Sequence, residues 1–100
     1  MSDELDLTIT HHVQGQGGIY TAELPGEKAK GTLEWEPDGE HVRVATHTIV
    51  PRSIGGRGVA ARLVERFVAD ARRIGFKIVP QCSYVAKKFE ENPDWADLKA

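Results

Sequence analysis

Thr48-Ile49-Val50-Pro51-Arg52-Ser53-Ile54-Gly55-Gly56-Arg57-Gly58-Val59-Ala60 decides how this chain is read. A β-branched stretch ends in a proline, runs through a glycine-rich turn and opens straight into a long amphipathic helix. Glycine lets a backbone turn tightly and approach a ligand closely. The free N–H groups of such a turn, together with the positive end of the helix behind it, favour a phosphate or pyrophosphate. No lysine follows the glycines as in a P-loop. No acid closes a following strand at dinucleotide spacing. Both of those nucleotide folds are therefore set aside.

Upstream of the turn the pattern is that of strands. Leu7 to Val13 alternates weakly and is broken by Gly15-Gln16-Gly17-Gly18, which reads as a turn because no long helix follows it. Tyr20, Ala22 and Leu24 alternate with Thr21 and Glu23, Pro25-Gly26 turns the chain, and Leu33 and Trp35 alternate with Thr32, Glu34 and Glu36. Pro37-Asp38-Gly39-Glu40 is a hairpin turn in which glycine supplies positive φ. Val42 to Val50, long and β-branched, is expected to be the best-buried strand. Short connections make these strands an antiparallel meander.

Downstream the period changes. Ala60, Leu63, Val64, Phe67, Val68 and Ala71 fall at helical spacing, which predicts a helix from Arg57 to Ile74 with Gly75 as its C-cap. Phe76-Lys77-Ile78-Val79-Pro80 reads as a strand parallel to Val42–Val50, joined by a crossover. Ser83 is placed to cap a second helix from Tyr84 to about Glu91, stopped by Asn92-Pro93, with Trp95 and Leu98 folding the end back on the body. Trp35 and Phe67 are assigned to the core. The fold class is α+β: a mostly antiparallel sheet, one long helix and a short C-terminal helix.

At 100 residues the chain has room for one domain and one core. A formal charge of −2 argues against a bulk nucleic-acid binder. Arg52, Arg57, Arg62, Arg66, Arg72 and Arg73 crowd the turn and its helix, opposed there only by Glu65 and Asp70. Such a cluster suits a small polyanion. Met1 to Asp6 reads as a frayed acidic end. No stretch is apolar enough to span a bilayer, no signal-peptide core is present, and the single cysteine, Cys82, permits no intrachain disulfide; a cytoplasmic protein with no membrane partner is expected. His11 and His12 are adjacent and face opposite sides of a strand, and His41 is distant, so no metal site is expected. The open-edged sheet suits a monomer or a weak homodimer.

Three segments carry a resemblance: His47-Thr48 with Val50-Pro51, then Gly56-Arg57-Gly58-Val59-Ala60, then Pro80-Gln81-Cys82-Ser83-Tyr84-Val85. In this order and spacing, from about Tyr20 to Leu98, the chain resembles the acetyl-CoA-binding half of the GNAT N-acetyltransferase superfamily, and more narrowly its compact GNAT-like members. The resemblance implies that Gly55, Gly56, Arg57, Gly58, Val59 and Ala60 cradle the pyrophosphate of CoA. It also implies that the edge at Ile49 and Val50 pairs with the pantetheine amides in a gap between splayed strands. Two positions depart from the superfamily pattern. Ser53 stands where arginine or glutamine is usual three residues before the first glycine, and Phe89 stands where a proton-donating tyrosine is usual.

Several side chains are candidates for chemistry. Cys82 lies just past a strand and just before a helix, whose dipole lowers a thiol pKa. It reads either as a residue at the thioester, accepting or positioning the acetyl group, or as a small buried hydrophobe. His47 stands where superfamily members often place a general base, and reads either as that base or as a structural histidine. Tyr84 is either a ligand contact or an aromatic anchor. Lys87 and Lys88 either approach the 3′-phosphate of CoA or are solvated, and Arg52 shares that ambiguity. The expected function is acetyl transfer from acetyl-CoA to an amine; the alternative is a non-catalytic CoA-binding module.

Overall fold

β-Branched and aromatic residues alternating with polar ones build a five-stranded sheet in the order β1-β2-β3-β4-β5: β1 (Thr8–Gln14), β2 (Gly17–Glu23), β3 (Lys30–Pro37), β4 (Val42–Ile49) and β5 (Lys77–Pro80). The computed structural model describes residues 6–100, so the expected frayed end lies, apart from Asp6, outside the described residues. β1 to β4 pair antiparallel and β5 pairs parallel to β4, as the meander and crossover require. The turns are those their glycines predict: Gly15, Gly26 and Gly39 all hold positive φ.

Helix α1 (Val59–Asp70) buries Val59, Leu63, Val64, Phe67 and Val68 against β2 and β3. It is shorter than expected at both ends. Gly58, at φ 82°, is its N-cap, and from Ala71 to Gly75 the chain forms a π turn in which Phe76 N–H reaches back to Ala71 C=O at 3.2 Å. Helix α2 (Ser83–Glu91) adds Val85 and Phe89 to the same core. The cap falls on Cys82, and Ser83, the expected cap, is the first helical residue. Trp95 packs edge-on to Phe89 at 5.5 Å and Leu98 is buried, so the C-terminus does fold back.

β4 is not the best-buried strand. Only Ala45 is buried in it, whereas β2 and β3 bury every second residue. The reason is layering: α1 lies over β2 and β3, and the opposite face of the sheet is open. The pairings Thr21↔Thr32, Thr32↔Ile49 and Glu34↔His47 put these residues on that open face, where all are exposed or half-buried. β-Branched composition marked a strand but not its burial.

A buried polar knot fastens α1 to the sheet. Tyr20 donates to Asp70 at 2.6 Å, and Arg66 and Arg73 pair with the same carboxylate at 3.4 and 3.2 Å. Burial alone would raise the Asp70 pKa, but the Tyr20 hydroxyl and the two guanidinium groups outweigh it and hold it below the usual value. His11 stacks on Tyr20 at 4.1 Å and accepts the indole N–H of Trp35 at 3.0 Å. Burial first, and Arg43 next, lowers the His11 pKa, which keeps the ring neutral and able to accept that bond.

Asp70→Ala is expected to cost about 2–3 kcal/mol in denaturant unfolding, because it strands a buried hydroxyl. Phe67→Ala, at a fully buried site, should cost about 3–5 kcal/mol. The Asp70 contribution is present above its unfolded pKa of ~3.9 and is lost as pH falls through the lower folded value. Stability of Asp70→Asn should therefore fall less steeply than wild type below about pH 4.

Candidate functional site

Two features of β4 create the site. A bulge at Thr46 shifts its register against β3, so that Glu34 faces His47 while Trp35 faces Ala45. Pairing with β5 stops at Ala45↔Pro80, and the last bond across is Cys82 N–H to Ala45 C=O at 2.9 Å. Beyond that bond β5 turns away into α2, and β4 continues to Ile49 with no strand on that side among the described residues. The result is a gap between the two strands.

At the end of the gap lies the glycine turn. Arg52–Ile54 forms one 3-10 turn anchored by the fully buried Ile54. Gly56 (φ 73°) and Gly58 (φ 82°) adopt backbone that other residues rarely take, and a Cβ on either would point into open space. Gly58 C=O accepts Arg62 N–H at 3.1 Å, so the amides of Val59, Ala60 and Ala61 have no acceptor within the helix. Among the described residues no side chain caps that end. Gly31 of β3 brings it close: a Cβ there would lie 2.9 Å from Val59.

These amides border a pocket of about 270 Å³. Val50 at the end of the strand, the glycines of the turn and the first residues of α1, Val59 to Ala61, line it. Tyr84 closes it from α2. Backbone donors at a helix N-terminus beside small side chains fit a pyrophosphate. Arg57 contributes its amide to the turn, but its side chain leaves the pocket to pair with Glu27 at 3.3 Å.

The expected basic cluster divides. Helical rise carries Arg72 roughly 20 Å from Gly58. There Arg72 holds Asp97 at 3.0 Å, while Arg66 and Arg73 hold Asp70. Only Arg52, Arg57 and Arg62 stay at the turn, and Arg62 lies 3.9 Å from Glu65. Lys87 is exposed on α2 and does not line the pocket, whereas Lys88 pairs with Glu91 at 3.1 Å and lies over the Tyr84 ring at 5.6 Å.

Cys82 and His47 are on opposite sides of the sheet. Thr48 pairs with the buried Leu33, so it faces the helices, and the Cys82 thiol donates to its hydroxyl at 3.5 Å. Burial pushes the thiol pKa up, but the first-turn amides of Val85 and Tyr84 and the Thr48 hydroxyl outweigh it and leave it lowered. Val50 packs on the same core as Cys82 and Tyr84. Thr48, Val50, Cys82 and Tyr84 therefore lie on the helix side of the sheet, with Val50 and Tyr84 lining the glycine pocket. His47 instead faces the open side, its Nδ1 3.7 Å from Glu34. Ile49 is exposed on that side too. Thr48 was missed as a site residue, although strand alternation sets it apart from His47 and with Val50. Phe89, with no proton to give, is packed against Trp95.

Among the described residues no group of three or more His, Cys, Asp or Glu could hold a metal ion, and no helix is long and apolar enough to cross a membrane.

The fold is similar to the crystal structure of a GNAT family acetyltransferase from Elizabethkingia anophelis with acetyl-CoA bound, with TM-score 0.64, 15% identity, and coverage of 89% of this chain and 74% of that one. No curated protein matches. A family model described as GCN5-related N-acetyl-transferase matches residues 19–98. That match takes in β3, β4, the glycine turn and both helices, and the chain therefore belongs to the GCN5-related N-acetyltransferase family.

Proposed function

We propose that this protein binds acetyl-CoA across the β4–β5 gap and transfers the acetyl group to an amine. The observation that carries this reading is the uncapped N-terminus of α1 opening onto the glycine pocket, with Val50 lining that pocket and the Thr48–Cys82 pair on the same side of the sheet. The pyrophosphate rests on the amides of residues 56–61. The pantetheine arm follows Val50 and pairs with the free edge at Ile49 and Val50. The thioester then lies between Thr48 and Cys82. The amine approaches from the open face and loses its proton to His47, directly or through a water, with Glu34 stabilising the resulting imidazolium. Tyr84 contacts the cofactor, and Arg52 and Lys87 lie outside the pocket, within reach of a 3′-phosphate only from its rim.

Cys82 has a second role in this reading: its lowered pKa suits a transient acetyl acceptor. The buried Phe89 in place of a proton-donating tyrosine favours the other reading, a binding module that holds acetyl-CoA without turnover. Acetyl-CoA titration and then thiol release with an amine panel decide between them. Binding with release supports the enzyme, binding without release the module, and no binding overturns both.

Ala60→Glu, which puts bulk and negative charge in the pocket lining, should weaken acetyl-CoA binding by about tenfold or more while leaving the unfolding temperature close to wild type. Cys82 should react with iodoacetamide along a pH curve whose midpoint lies below that of an unperturbed thiol, and acetyl-CoA should protect it. His47→Ala should lower kcat by about 10²-fold without weakening acetyl-CoA binding, because the imidazole lies on the far face of the sheet. Equal loss of binding and turnover would make His47 structural.

A further inference from the structure

A second cavity, about 500 Å³, lies on the open face and shares no lining residue with the glycine pocket. β2 begins with Gly17-Gly18, and neither position tolerates a side chain. A Cβ on Gly17 would lie 2.5 Å from the Trp35 carbonyl oxygen, and one on Gly18 would lie 2.6 Å from the Trp35 indole nitrogen. β2 and β3 therefore approach closely there, and the cavity lies beside that contact with no side chain from β2 to fill it at Gly17 or Gly18. Gln14 rims the cavity from the end of β1, Gln16 from the β1–β2 turn, Glu34 and Glu36 from β3, and Thr46 from the bulge of β4. No lysine or arginine lines it. Thr46 adjoins Ala45, whose carbonyl takes the last bond across to Cys82, so the cavity opens beside the β4–β5 gap on the side away from the glycine pocket.

We propose that this cavity is the acceptor site, and that it selects a linear primary amine bearing a second positive charge four or five methylenes from the reacting nitrogen. The proposal rests on the acetyl-transfer reading above. Glu34 is committed to His47, which receives the proton of the reacting amine. Glu36 stands two residues further along the same face of β3, diagonal to His47, which places it roughly 7–8 Å from His47. An extended chain of four or five methylenes separates two amino nitrogens by about 6–7.5 Å at ordinary bond lengths. One end reacts at His47 while the other, still an ammonium, is held by Glu36 and the glutamine amide oxygens. The neutral amine's lone pair forms a C–N bond to the thioester carbonyl carbon, and the C–S bond breaks with its electrons on sulfur. The proton lost from nitrogen passes through His47 to that thiolate, giving the amide and free CoA.

The test uses 1,5-diaminopentane, 1,3-diaminopropane and 1-aminopentane with the intact chain. In an NMR titration 1,5-diaminopentane should shift the amide signals of Gly17, Gly18, Glu36 and Thr46. The monoamine should leave them in place. With acetyl-CoA present, kcat/KM for 1,5-diaminopentane should exceed that for 1-aminopentane by about tenfold, with 1,3-diaminopropane near the monoamine, as loss of one charged hydrogen bond implies. Glu36→Gln, an exposed position, should reduce that preference to near unity. Unmoved amide signals, or equal shifts from both amines, overturn the cavity proposal whatever the enzyme does. Diamine binding at these amides without turnover leaves the cavity standing and overturns acetyl transfer instead.

Discussion

Everything at the site depends on β4 losing its parallel neighbour after Ala45. Parallel pairing over residues 42–45 holds the two strands together, and the Cys82 amide bond to Ala45 is its last rung. Past it the backbone of β4 keeps donors and acceptors facing an unfilled slot. An unpaired strand edge is ordinarily a liability for aggregation, yet here it lies next to the glycine pocket and a thiol. The bulge at Thr46 belongs to the same device, because a bulge bends its strand, increases local twist and re-aims the side chains beyond it. With one residue inserted, Thr48 and Val50 face the helices and His47 and Ile49 face solvent.

The knot around Asp70 matters to this slot at a distance. It fastens the C-terminal end of α1 to β2, while Val59 against Gly31 fastens the N-terminal end to β3. A helix held at both ends presents its first-turn amides as a rigid row. Binding an anion on preorganised donors avoids the ordering cost that a mobile loop would carry. Residues far from the pocket thus set the geometry of the donors that line it.

The sequence made the glycine turn legible because the signals there are local. Positive φ, a missing cap and a switch from β to helical period all lie within residues 48–60, and Gly56 and Gly58 adopt the backbone that only glycine takes freely. The element order was legible for the same reason. What could not be read were relations between distant residues. Arg57 meets Glu27, Arg72 meets Asp97 and Tyr20 meets Asp70, each across twenty-five or more positions. The arginine cluster therefore looked like one basic surface when most of it serves local acids. The bulge carried no glycine to announce it. β4 looked buried because its β-branched composition speaks of strand formation, whereas burial depends on which strands a helix happens to cover.

The two faces of the sheet carry opposite chemistry, and that division limits which reactions the site can run. On the helix side stand the first-turn amide donors and the thiol of Cys82; on the open side stand Glu34, Glu36 and His47. An anionic donor molecule and a cationic acceptor would each be drawn to its own side and kept from the other by like charge. Only at the slot beside Ala45, where the sheet has parted, can the reacting atoms of the two meet. A sheet closed by full β4–β5 pairing would keep both surfaces and lose the one passage between them.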